Sequence, residues 1–161
     1  MAITYEPIAT TTVSGTSTNS VIFSSIPGTY TDIVFICEID ADSDVSTRIR
    51  LNNDSGSNYS QRDLRADGSS VSSSQSSNLG FLSLGAGTAT NTTLVTGSIN
   101  SYSNSTTNKV IVSRANNPIN TVLMRTMLWR DTSAITAIEF YVSSGNWFAG
   151  STFTLYGIKA A

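Results

Sequence analysis

The chain has no histidine, a single cysteine and only three prolines in 161 residues. Without histidine, Ser-His and Cys-His nucleophilic schemes, most zinc sites and most general-base chemistry at neutral pH are excluded. A lone Cys37 cannot close an internal disulfide. It lies in the apolar run 33–39, where a buried, inert thiol is favoured over a reactive one, and such usage fits folding in a reducing cytoplasm. Lysine is nearly absent, and Lys109 and Lys159 stand with scattered arginines rather than in a basic block. With a net charge of −2 and a pI near 4.8, binding of nucleic acid through phosphate neutralisation is not expected. No apolar stretch reaches membrane length. The first residues lack the basic start and apolar run of a signal peptide. No membrane partner and no cofactor are expected.

What is present is hydroxyl and amide. Ser and Thr together supply 49 residues and Asn 13, while 39% of the chain is hydrophobic. That is too apolar for a disordered polar chain. The length suits one domain, residues 1–161, with a core that needs no disulfide. Apolar residues recur with period two rather than 3.6. Ile33, Phe35, Cys37 and Ile39 alternate with Val34, Ile36 and Glu38; Val45, Thr47, Ile49 and Leu51 alternate with Ser46, Arg48 and Arg50. In the last stretch Phe153, Leu155 and Gly157 oppose Thr152, Thr154, Tyr156 and Ile158. Further strands are predicted at 20–26, 59–66 (polar and weaker), 79–84, 93–102, 109–114, 121–130 and 135–142. The serine run 69–78 reads as a surface loop. Roughly ten strands with turn signals between them predict an all-β, antiparallel β-sandwich, with a jelly roll as the best-fitting form.

Candidate sites are few. Glu38 and Glu139 are the carboxylates a hydrolase would need, but each interrupts a strand on its less apolar face, and no enzyme is expected. Asp40, Asp42 and Asp44 resemble part of a calcium loop, yet Val45 and Leu51 stand where an EF-hand needs Gly and Glu. The alternatives are an acidic turn, which is favoured, and a calcium ion held in another geometry. Trp147, with Phe148 and Asn146 in a loop between strands, is the best candidate sugar platform; its alternative is a cap on the end of the core. Trp129 is expected in the core. Residues 2–15 form either a first strand or an arm reaching a neighbouring subunit, with Ile3, Tyr5 and Ile8 as anchors.

Four blocks carry a resemblance. Residues 22–34 (IFSSIPGTYTDIV), 50–60 (RLNNDSGSNYS), 128–135 (LWRDTSAI) and 144–158 (SGNWFAGSTFTLYGI) resemble conserved-order blocks of small bacteriophage virion structural proteins, over nearly the whole chain. Related domains occur in tail fibres and as free-standing virion proteins, and the family brings no catalytic residues. The resemblance implies a capsid decoration, or cement, protein made in the bacterial cytoplasm and carried on the outer capsid surface. Its expected partners are further copies of itself, as a trimer, and the major capsid protein or other virion proteins. A first strand so near Met1 leaves no trunk for a fibre, which favours the head over the tail. The alternative is a tail or fibre module that recognises host surface carbohydrate.

Overall fold

Period-two patterning becomes strand wherever one side chain in two finds a partner layer. A computed structural model describes residues 5–15, 17–42, 45–87, 91–117 and 121–159, without the side chains of 86, 87 and 117. Twelve strands run β1 (Tyr5–Thr12), β2 (Ser20–Phe23), β3 (Asp32–Ile39), β4 (Val45–Leu51), β5 (Tyr59–Ala66), β6 (Val71–Leu79), β7 (Leu82–Gly87), β8 (Thr93–Asn100), β9 (Lys109–Asn117), β10 (Thr121–Trp129), β11 (Ile138–Val142) and β12 (Thr152–Ile158). Every strand pairing is antiparallel. Among the described residues there is no helix.

The strands form an eight-stranded sheet, β1-β12-β3-β8-β9-β10-β5-β6, and a four-stranded sheet, β2-β11-β4-β7. The all-β sandwich matches the expectation. The eight-and-four division does not establish the eight-stranded, double Greek-key form of a jelly roll. The alternation in β3, β4 and β12 falls as predicted: Ile33, Phe35, Cys37 and Ile39 are fully buried, as are Ile49, Leu51, Phe153 and Leu155. Burial raises the Cys37 thiol far above its ordinary value, so it stays protonated and inert.

Aromatic rings join the two layers. Phe140 of the small sheet meets Phe35 and Phe153 of the large one at centroid distances of 5.6 and 5.5 Å, in the offset and edge arrangements that aromatic quadrupoles favour. Phe35 lies over Gly97 of β8, where an added Cβ would come within 2.2 Å of the ring's Cζ. Glycine in a strand interior here marks a close approach.

The crossing from β4 to β5 is built by the turn 52–58. Asp54 accepts hydrogen bonds from the Trp129 indole (2.7 Å), the Asn58 amide (2.9 Å) and the Gly56 backbone N–H (2.8 Å). The Tyr59 hydroxyl donates to the Asp54 carbonyl (3.0 Å) and accepts from the Leu51 N–H (3.1 Å). Asn52 then ties this turn to 134–137: its Oδ1 accepts from the N–H groups of Thr136 and Ala137, and its amide donates to the Ala134 carbonyl. Ile26 and Tyr102 do the same for 26–30, where the Tyr102 hydroxyl donates to the Pro27 carbonyl and accepts from the Tyr30 N–H. Residues in the blocks 22–34, 50–60 and 128–135 thus serve as turn and core builders.

Gly97→Ala is expected to lose about 1–3 kcal/mol of stability by overpacking against Phe35, measured by denaturant unfolding. Burial pushes the Asp54 carboxyl up, but its hydrogen bonds from Trp129, Asn58 and Gly56 and the nearby Arg50 charge outweigh this and hold it below the usual carboxylate range. A carboxyl lowered in the folded state contributes stability above its unfolded value of about 4, lost as the pH falls through the folded value. Asp54→Asn should therefore be less stable than the parent at pH 7, with the gap narrowing in unfolding curves taken below pH 4.

Candidate functional site

The large sheet is wider than the small one, and its far strands project past the edge strand β7. This overhang leaves a cleft of about 350 Å³. Its floor is the inward face of β10, β5 and β6, and its wall is the edge of the small sheet. Inward positions that would be core elsewhere are polar here, because no layer covers them: Asp63 and Arg65 on β5, Ser72 and Ser74 on β6, Thr121 and Arg125 on β10.

The wall is finished by side chains. The Ser83 N–H of β7 donates to Gln61 Oε1 at 3.0 Å, and the Ser83 carbonyl accepts from Arg125 Nη1 at 2.9 Å. These bonds satisfy backbone groups that a neighbouring strand would otherwise take. Arg125 Nε in turn donates to Asp63 Oδ1 at 2.8 Å, with both side chains largely shielded (12% and 15% exposed). Ser74 donates to Asp63 Oδ2 at 3.3 Å. The pair is thus fixed from several sides. Arg65, two positions along the same face, is exposed and forms no ion pair among the described residues; its Nη2 reaches only the Thr121 hydroxyl, at 3.5 Å.

A second surface lies on the opposite side of the same strands. Register places Met124 between Arg114 and Leu64, and Leu128 beside Val110. Leu64, Leu94, Val110, Val112, Val122 and Met124 are each between 40% and 60% exposed. They form a field of half-exposed apolar side chains across β8, β9, β10 and β5, interspersed with Arg62, Thr96, Arg114, Asn116 and Thr126 on the same face. Single exposed apolar residues need no explanation, but six on one face do.

The sequence-predicted residues fall elsewhere. Trp147 is fully buried, with its ring 4.4 Å from Phe153, which closes its face to a sugar and makes it the cap of the core. Tyr102 is likewise buried. Phe148 remains 40% exposed, without an indole beside it to share a platform. Asn146 is engaged with Asp42: its N–H and side-chain amide donate to the Asp42 carboxylate at 3.1 and 3.3 Å. Asp40 uses its backbone to hold Ser151 and Phe148. Asp44 lies outside the described residues, and among those described no three metal-ligating side chains converge.

Tyr5 and Ile8 belong to β1, which pairs along β12, and Ile8 packs against the core. Over residues 5–12 the segment is a first strand rather than an arm; Ile3 lies outside the described residues. Glu38 and Glu139 occupy the outward faces of different sheets, and Glu139 pairs with Arg50 at 3.0 Å, so they do not form a carboxylate pair. The sequence reading missed the cleft. Its one available signal was the run Gln61, Asp63, Arg65 at period two, polar on the face where neighbouring strands are apolar.

No protein-family model matches the chain, and comparison with curated proteins finds no match either.

Trp147→Ala is expected to cost about 3–5 kcal/mol through the cavity it leaves, whereas Trp147→Phe should cost clearly less, since the indole Nε1–H has no hydrogen-bond partner among the described residues to lose. Thermal unfolding of the two variants checks this.

Proposed function

We propose that this chain is a bacteriophage virion structural protein, a decoration protein that docks on the outer capsid and stabilises the head. The observation that carries the reading is the apolar field on the outward face of β8, β9, β10 and β5. A field of this kind suits a protein whose working state is bound to a larger surface. The resemblance of the four sequence blocks to small virion proteins supplies the identity of that surface, the lattice of the major capsid protein.

The mechanism is binding linkage. Many copies bind the assembled lattice in preference to its separated parts, so each bound copy shifts the equilibrium toward the closed shell. Self-association is supported by one open edge of the large sheet. On β1, Pro7 and the irregular register between Pro7 and Ala9 blunt the edge. On β6 the Val71–Leu79 strand carries neither proline nor charge, so its free backbone groups remain open to pairing with another copy.

A second reading, recognition of host surface carbohydrate from the capsid or from a tail, moves from Trp147 to the hydroxyl-lined cleft, which is the concave polar surface that suits it.

Quantitative mass spectrometry of purified virions should find this chain within a few-fold of the major capsid protein. A far lower copy number, equal to that of tail components, would overturn the capsid assignment. Val112→Glu together with Met124→Glu should leave the fold intact, since both side chains face outward, and abolish rebinding to stripped capsids in a sedimentation assay.

A further inference from the structure

We propose that the cleft beneath the edge of the four-stranded sheet binds an acidic saccharide, a sugar unit that carries a carboxylate. The inference rests on the second, carbohydrate-binding reading and names its ligand class. It stands independently of where the protein sits in a virion.

The charge of the cleft sets the sign of the ligand. Among the described residues that line it, Arg65 and Arg125 face Asp63, which leaves one positive charge in a chain whose net charge is −2. The two guanidinium groups have different duties. Arg125 is locked by Asp63 and by the Ser83 carbonyl, so it is a rigid part of the wall. Arg65 has no carboxylate partner among the described residues, and its planar fork suits a bidentate bond to an incoming carboxylate. Asp63 disfavours a doubly charged phosphate, so a monoanion fits best.

The rest of the lining sets the body of the ligand. Hydroxyls at Ser46, Ser72, Ser74, Ser83 and Thr121 surround the charges. A hydroxyl both donates and accepts, which matches sugar hydroxyls of either polarity. Leu123 and Ala115 add a small apolar floor for the C–H face of a ring. Among the described residues no aromatic side chain lines the cleft, so ring contact falls to this small apolar floor. A volume of about 350 Å³ lies at the small end of ligand pockets and suits one or two sugar units.

The test is calorimetric titration of the purified protein with trigalacturonate, a neutral galactotriose and acetate, with amide shifts mapped by NMR. Trigalacturonate should bind, with shifts centred on Asp63, Arg65, Ser74 and Ser83, and more weakly as salt rises. Galactotriose and acetate should each bind at least about tenfold more weakly. Arg65→Gln, at an exposed position, should fold normally and lose about tenfold in trigalacturonate affinity; Arg65→Lys should recover part of it. Equal binding of the neutral and acidic sugars, unaffected by Arg65→Gln, overturns the acidic class and leaves carbohydrate recognition standing. Acetate binding as tightly as trigalacturonate overturns the saccharide in favour of a simple anion site. Shifts centred outside the cleft overturn its location, and failure of both sugars to bind overturns the carbohydrate reading as well.

Discussion

The structure depends on the Asp54 carboxylate. It lies at the crossing from the small sheet to the large one, and the two ends of that crossing are held to each other through it and Tyr59. The indole of Trp129, buried against Tyr59 at a centroid distance of 6.3 Å, has its one donor satisfied there. A fully buried tryptophan can stay polar at one corner only if an acceptor is brought to it. Gly56 leaves room for this geometry, since a Cβ there would crowd Asp54 Oδ1 at 3.0 Å and the Asn58 amide at 3.1 Å. The spacing Asn52, Asp54, Gly56, Asn58, Tyr59 is therefore a set of instructions for one turn. Through Asn52 it extends to the segment that leads into β11.

Much of the sandwich was legible, and particular residues show why. Where both layers are present, as at Ile33 to Ile39, alternation in the sequence is alternation in space. The reading failed where only one layer is present. The serine run 69–78 reads as a loop because it has no apolar alternation, yet from Val71 on it is strand, within β6. It pairs with β5 through backbone bonds, and it needs no apolar face because the small sheet ends before reaching it. Trp147 failed as a sugar platform for the opposite reason. A glycine- and serine-flanked tryptophan looks exposed, but backbone bridges to Thr18 and Ala41 draw its loop inward over Phe153.

The same mismatch in sheet width organises both candidate surfaces. Eight strands against four leave part of the large sheet with no apolar partner on its inward side. There the chain supplies serine, aspartate and arginine. On the outward side of these strands it supplies valine, leucine and methionine. The usual polarity of a sheet is thereby largely reversed over 121–125 of β10 and 63–66 of β5, with Asp63, Arg65, Thr121 and Arg125 facing the cleft and Leu64, Val122 and Met124 facing outward. The reversal places two chemically different surfaces back to back across the thickness of one sheet.

The way Gln61 and Arg125 finish the edge of β7 has a consequence for what the cleft can admit. An open strand edge accepts almost any extended peptide, because main-chain pairing is indifferent to sequence. Here the amide and carbonyl of Ser83 are already spoken for by long side chains anchored in the other sheet. At Ser83 the wall has given up the promiscuity of a backbone and kept the selectivity of its side chains.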